Sequence, residues 1–89
     1  MKIKLKPSLL LKKDAEGKGV LFSAEDENEN YIKLSGIALV VIEKLMNRQT
    51  TESVIEEIMA EYEVTSDLLN SDLEMLLNKL KDANFIINE

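Results

Sequence analysis

The pattern of apolar and polar positions changes its period near Ser35, within the segment NYIKLSGIALVVIEKL. Residues 31–34 alternate along the chain, which is typical of a β-strand with one buried face. After Ser35, the apolar residues recur at the spacing of a buried helix. The sequence therefore predicts a short strand, residues 30–34, that leads almost directly into a central helix.

Two earlier segments, residues 8–13 and 19–25, alternate in the same way and are predicted to be strands. The link between them contains Gly17 and is predicted to close a hairpin. If the third strand continues this order as a meander, it lies at an edge of the sheet. The sequence leaves open whether Tyr31 or Lys33 directs its backbone N–H outward.

Three helices are predicted to follow. Ser35 is suited to cap the first helix, and Thr50 or the next threonine to begin the second. The third helix has two candidate starts, one at Thr65 or the serine after it and one at Ser71, where Glu74 completes a capping box. Residues 85–87 are predicted to be a short closing strand or an apolar tail. This order predicts an α+β, winged-helix-like domain, a three-stranded antiparallel sheet followed by three helices.

The third predicted helix carries two rows of side chains. A wide apolar stripe is expected to face the core and consists of Leu69, Leu73, Leu76, Leu77 and Leu80. A neighbouring row should border that face and consists of Leu68, Asp72, Met75 and Lys79. An edge strand beside this helix would leave a groove, which the apolar side chains of Tyr31 and Met75 are suited to line.

The composition removes the usual groups of catalysis. The 89 residues include no histidine and no cysteine, so the chain lacks a thiol nucleophile, an imidazole base and the ligands of a soft-metal site. The clustered carboxylates of Glu56, Glu57, Glu61 and Glu63 are expected on a helix face that meets water. We therefore expect residues 1–89 to form a single domain that is not an enzyme and uses no metal or cofactor.

The charge is distributed unevenly. The first 13 residues hold five lysines and no acid, whereas the remainder holds 6 basic against 17 acidic residues, a net charge of −11. An acidic surface either keeps a small domain soluble or attracts a basic partner segment, and it repels nucleic acid. The longest apolar run, residues 37–42, is too short to span a membrane. We expect a cytoplasmic protein without a membrane or nucleic-acid partner.

The exposed edge strand has two readings. Lys33 either blunts the edge against aggregation or lies on a surface where a peptide adds as a further strand.

A wider set of features points to the second reading. The features are Leu34-Ser35 at the end of the third strand, the apolar helix IALVVIEKL, the helix opening from Thr51 to Ile55, the segment IMAEYEV, and Asp72-Leu73 followed by Leu76-Leu77 and Leu80. Along about residues 9–86 the sequence resembles the PqqD family, the peptide chaperones also called RiPP recognition elements. It departs from the family at Asn84, where glycine is common, and at residues 47–49, where Asp-Gly is usual. Asparagine tolerates the same left-handed backbone as glycine.

The resemblance implies a non-catalytic chaperone that binds the leader segment of a ribosomally made precursor peptide. The leader would add as a β-strand in the groove between the third strand and the third helix. The chaperone would then deliver it to a modifying enzyme or leader peptidase of the same pathway. Carried onto this chain, the peptide-binding residues are Tyr31, Ile32, Lys33, Leu34, Asp72, Met75, Leu76 and Lys79. The resemblance leaves the natural product open among a lasso peptide, a quinone cofactor and a thioether peptide.

Two other functions remain, a winged-helix DNA-binding regulator and a structural adaptor subunit. The third predicted helix carries Lys79 and Lys81 against four acidic residues, so it is poorly suited to contact DNA. An adaptor needs only an apolar patch.

Overall fold

The computed structural model describes residues 3–25 and 30–87. The strands are β1 (Leu9–Lys13), β2 (Lys18–Ser23) and β3 (Tyr31–Ser35), and the helices are α1 (Gly36–Met46), α2 (Thr51–Glu61) and α3 (Ser66–Asp82). The predicted α+β order of three strands and three helices is confirmed. Each strand lies within a residue or two of its predicted bounds.

The three strands form an antiparallel meander in the order β1-β2-β3. The β1–β2 turn is closed by Asp14, whose backbone N–H donates to the Lys18 carbonyl at 2.9 Å. The Asp14 carboxylate also accepts the backbone N–H groups of Glu16 and Lys18 at 2.9 and 3.0 Å. Gly17 supplies the left-handed backbone of the turn, with φ 80°. These local bonds fix the register of the hairpin, and β3 then pairs with β2.

The core lies between one face of the sheet and the helices. In β3 the side chains alternate, so that Ile32 and Leu34 are buried while Tyr31 and Lys33 are exposed. Helix α1 packs against α2, α3, β2 and β3, which confirms its predicted central place. The largest fully buried side chains are Phe85, Leu21, Ile42, Ile58, Leu69, Leu73 and Leu80. Burial of each such side chain contributes about 1.5–3 kcal/mol.

Threonines cap the second and third helices. The hydroxyl oxygen of Thr50 accepts the Ser53 N–H at 3.1 Å, and that of Thr65 accepts the Leu68 N–H at 3.2 Å. Helix α3 therefore begins at the earlier of its two candidate positions, and Ser71 lies inside the helix.

Three positions at the ends of the helices have a left-handed backbone. Ser35 precedes α1 as predicted, but its side chain forms no capping hydrogen bond. Gly36 starts the helix with φ 57°, a left-handed value that favours glycine. Asn84 has φ 61°, as expected for asparagine in place of glycine, and Arg48 has φ 67°. Arg48 thus occupies a left-handed position without the side-chain amide that makes asparagine tolerable there.

Residues 4–6, near the start of the described chain, are joined to residues 85–87. Residues 85–87 do not join the sheet; Ile86 forms a single antiparallel bridge with Leu5. The Lys6 N–H donates to the Phe85 carbonyl at 3.0 Å, and the Ile87 N–H donates to the Lys4 carbonyl at 2.8 Å. The predicted closing strand is thus reduced to a single bridge between residues 85–87 and the N-terminal segment.

The prediction of a solvated glutamate face is wrong for Glu57. Its carboxylate accepts Lys44 Nζ at 2.7 Å and Gln49 Nε2 at 3.3 Å, which links α2 to α1. The hydrogen bond from Lys44 lowers the pKa of Glu57, and the same bond raises the pKa of Lys44. Sequence spacing along α2 does not reveal a partner on another helix. Glu56, Glu61 and Glu63 are exposed as predicted.

In the part of the chain that the structure describes, Thr51 is the one polar residue buried in the core, at 3% exposure. Its hydroxyl oxygen accepts the buried backbone N–H of Ile3 at 2.8 Å. We expect Thr51→Val, which keeps the shape but leaves this N–H without a partner, to lower the free energy of unfolding by about 1–3 kcal/mol. Thr51→Ser keeps the acceptor and loses one methyl group, so it should cost about 0.8 kcal/mol or less. Urea unfolding measures both, and a Thr51→Val variant as stable as the parent would contradict the assignment.

Candidate functional site

Strand β3 lies at an edge of the sheet, as predicted for a meander. It pairs with β2 on one side, and no other strand of the described residues flanks it. An unpaired strand edge presents backbone donors and acceptors that another chain can use. The edge of β3 is therefore the first feature of the site.

The hairpin register determines which β3 groups point outward. The bonds from Asp14 N–H to the Lys18 carbonyl and from Ala24 N–H to the Ser8 carbonyl show that the even-numbered residues of β2 face β1. Successive residues of a strand direct their N–H and C=O to opposite sides, so the odd-numbered residues of β2 face β3. Their partners in β3 are Leu34 opposite Gly19 and Ile32 opposite Leu21.

The backbone groups of Tyr31 and Lys33 consequently point away from the sheet. Both residues direct their N–H and C=O outward, which resolves the alternative that the sequence left open. Their side chains are also exposed, as is that of Ser35 at the end of β3. The residues that offer the free edge are therefore not the residues that bury side chains in the core.

Strand β1 is the opposite edge of the sheet, and it is blunted differently. Its outward N–H at Leu9 already donates to the Lys6 carbonyl at 3.3 Å. At its other end, Lys13 forms an ion pair with Glu43 of α1, with Nζ and Oε1 3.3 Å apart. Charged side chains at an edge disfavour the addition of another strand.

Helix α3 forms the second wall of a groove along β3. One section of the groove, of about 360 Å³, is lined by Asp72, Met75 and Leu76 together with Leu34, Ser35, Ile37 and Ala38. The other section, of about 440 Å³, is lined by Asp82 and Ala83 together with Asn30, Tyr31 and Ile32. Lys33 and Lys79 line both sections. Helix α3 therefore runs antiparallel to β3, and the two lysines lie at the middle of the groove.

The structure brings together all eight residues proposed from the sequence, in two kinds of position. Ile32, Leu34 and Leu76 are buried at 8, 4 and 4% exposure and form the floor. The others are exposed along the rim, namely Tyr31, Lys33, Asp72, Met75 and Lys79. Tyr31 and Met75, exposed at 59 and 60%, line opposite sections. They provide one large apolar side chain for each end of the groove.

Sequence reasoning missed six lining residues of the groove. Asn30 precedes β3, Ser35 ends it, and Ile37 and Ala38 lie in the first turn of α1. Asp82 and Ala83 continue the α3 row, Asp82 seven residues after Met75 and Ala83 four after Lys79. The helical spacing would have found the last two. The start of α1 was assigned to the core, because apolar periodicity does not distinguish a core wall from a groove wall.

A further concavity, of about 580 Å³, lies at the hairpin end of the sheet. It is lined by Lys12, Lys13, Asp14, Lys18, Gly19 and Val20 and meets the end of β3 at Lys33, Leu34 and Ser35. This concavity also reaches the free edge of β3 at Lys33 and Ser35, but no helix lines it. We assign the site to the groove, because only there does the free edge of β3 lie beside a helix wall.

Metal-binding clusters and membrane-spanning helices are both absent from the described residues. Across residues 3–25 and 30–87, no group of three or more carboxylates is arranged to hold a metal ion. No helix in these same ranges is both long enough and apolar enough to cross a bilayer.

Comparison with known proteins places the chain in a family. The family model described as "Coenzyme PQQ synthesis protein D (PqqD)" matches residues 18–86. The match covers most of the sequence, and it includes β3, α3 and the groove between them. The chain belongs to the PqqD family.

A solved structure shares the fold. It is described as "TbiB1 in Complex with the TbiA(beta) Leader Peptide", and it superposes with a TM-score of 0.80 over 98% of each chain at 18% sequence identity. At this identity the similarity establishes the fold of three strands and three helices. None of the curated proteins matches the chain significantly.

The outward direction of the β3 edge is testable in the free protein. We expect the backbone amides of Ile32 and Leu34 to be protected from hydrogen exchange by their bonds to β2, and those of Tyr31 and Lys33 to exchange much faster. Nuclear magnetic resonance spectra recorded after transfer of the protein into deuterated buffer measure the exchange rate of each amide separately. Protection of Tyr31 and Lys33 with fast exchange at Ile32 and Leu34 would mean that the register is shifted by one residue.

Proposed function

We propose that residues 1–89 form a single non-catalytic domain that binds the leader segment of a ribosomally made precursor peptide. The leader adds as a β-strand to β3 in the groove of β3 and α3, and the domain delivers it to a modifying enzyme or leader peptidase of the same pathway. The observation that carries this proposal is the unpaired β3 edge beside an apolar-walled groove. Membership of the PqqD family and the leader peptide bound to the similarly folded TbiB1 support it.

Strand addition uses the backbone of the outward-facing residues of β3. Tyr31 and Lys33 each offer one N–H donor and one C=O acceptor to a ligand strand. Because this recognition engages the ligand's main chain, it accepts many sequences, and selectivity comes from the side chains that alternate along the ligand. Alternate ligand residues point toward the helix wall, where Met75 of α3 and Ile37 of α1 line one section and Ala83 lines the other.

The available interactions are sufficient for moderate affinity. A few ladder hydrogen bonds contribute a net of about 1 kcal/mol each. Two apolar anchors, one per section, contribute roughly 1.5–3 kcal/mol each. After the costs of association and of ordering the peptide, a Kd near micromolar, about 8 kcal/mol, is consistent with these terms. Such affinity suits a chaperone that must also release its ligand.

The delivery step follows from the chemistry that the chain lacks. Without histidine or cysteine, the domain has no imidazole or thiol with which to modify or cleave the leader. The modifying enzyme or leader peptidase of the pathway is therefore the protein that acts on the precursor. We place this domain and that enzyme in the cytoplasm. The role of the domain is to hold the leader in an extended form beside that enzyme.

The central prediction concerns the free backbone donors. Proline at position 31 or 33 removes an outward N–H without removing a bond to β2, so Tyr31→Pro and Lys33→Pro should weaken leader binding about tenfold or more while the sheet stays paired. Lys13→Pro is the matched control, because it places proline at an outward position of the other edge strand. The ligands are synthetic leader segments of the short precursor peptides encoded beside the gene, and calorimetry measures their Kd after circular dichroism confirms folding.

The helix wall is tested by a second pair of variants in the same titration. Met75→Glu replaces an apolar side chain of the groove with an anion and should weaken leader binding strongly. Asn70→Glu adds the same charge to an exposed position of α3 outside the groove and should bind like the parent. If folded Tyr31→Pro, Lys33→Pro and Met75→Glu all bind with parental affinity, the groove is not the binding site and the adaptor function gains support.

A further inference from the structure

The middle of the groove is lined by two lysines, one from each wall. Lys33 belongs to the exposed face of β3 and Lys79 to the groove-facing row of α3, and each lines both sections of the groove. Within the described residues, neither lysine forms an ion pair. Lys44 and Lys13, by contrast, are paired with Glu57 and Glu43.

Acidic groups of the groove lie toward its two ends. Asp72 lines the section at the start of α1, and Asp82 lines the section at the start of β3. The charge therefore runs from negative to positive and back to negative along the groove. The two lysines thus form a locally basic point on a chain whose net charge is −6.

We infer that the domain selects ligand strands that carry a carboxylate near their centre, and that Lys33 and Lys79 are the residues that determine this specificity. The inference rests on the proposed function, because it assigns a ligand class to the same groove. Neighbouring residues of an added strand point to opposite faces of the sheet. A central acidic residue therefore meets Lys79 if it points toward α3 and Lys33 if it points to the outer face.

Loss of water from the lysines on binding favours a ligand with an acidic centre over one with an apolar or basic centre. A strand added at β3 removes water from the ammonium group that its central side chain covers, so a ligand with an apolar or basic centre leaves that group without a partner. A carboxylate at that position forms charge-assisted hydrogen bonds instead. Because the groove is open to solvent, we expect a glutamate centre to bind about three- to tenfold more tightly than a glutamine centre. This preference should shrink at high salt.

Peptide selection tests the inference without a known leader. A phage library of random dodecapeptides is selected on the full chain, and in parallel on Lys33→Gln/Lys79→Gln and on Met75→Glu. The charge-matched control is Lys12→Gln/Lys81→Gln, which removes two lysines outside the groove. The parent and the control should enrich peptides with alternating apolar residues and an acidic centre. The Lys33/Lys79 variant should keep the apolar pattern and lose the acidic preference.

The outcomes separate the two levels of the proposal. If the parent enriches an apolar pattern that Met75→Glu abolishes but shows no acidic preference, or if Lys33→Gln/Lys79→Gln keeps that preference, the charge selection is wrong and peptide binding stands. If no peptide is enriched, or if Met75→Glu selects the same peptides as the parent, the proposed groove itself is wrong. An enriched peptide resynthesised with a glutamate, glutamine or lysine centre gives the affinity ratio directly by calorimetry.

Discussion

The alternation of β3 is the constraint on which the rest of the site depends. A strand has only two faces and two edges, and the burial of Ile32 and Leu34 under the helices determines all four. The same two residues direct their backbone groups to β2, so Tyr31 and Lys33 are left with exposed side chains and free N–H and C=O groups. Core and unpaired edge are thus encoded by alternate residues of one short segment.

Helix α3 turns this edge into a groove. Its buried residues, Leu69, Leu73, Leu76 and Leu80, anchor it to the core, and the next row of its surface then has to border β3. That row supplies Asp72, Met75 and Lys79 to the groove. The antiparallel course of α3 places Met75 toward the end of β3 and Asp82 toward its start. The charge order that we propose to govern ligand choice follows from this course, because it assigns each charged residue to a distinct part of the groove.

Sequence periodicity was sufficient for the elements and for most of the groove. The change of period at Ser35 predicted β3 and α1, and the spacing of leucines predicted both rows of α3. Asn84 was correctly expected to adopt a left-handed backbone. These features depend on local spacing and on backbone preference, which a single sequence contains. The left-handed backbone of Arg48, with φ 67°, could not be expected from the sequence, because arginine has no preference for that conformation.

The features that the sequence did not predict depend on contacts between distant segments. The outward direction of Tyr31 and Lys33 follows from the hairpin bond between Asp14 and Lys18, two strands away. Glu57 was assigned to solvent because its partner, Lys44, lies on another helix. The hydroxyl of Thr51 was expected near a helix start, yet it binds the Ile3 N–H, 48 residues earlier in the chain. In each case the contact joins segments that are far apart in the sequence, so it can be identified only from the folded structure.

The most direct test of the account is an isotope-edited nuclear magnetic resonance experiment on the chain bound to a leader segment. If the leader adds as a strand to β3, cross-strand nuclear Overhauser effects should join the leader backbone to the amide and α protons of Tyr31 and Lys33. The amides of these two residues should become protected from exchange on binding. Cross-strand contacts at β1, or binding that leaves the Tyr31 and Lys33 amides freely exchanging, would contradict the account.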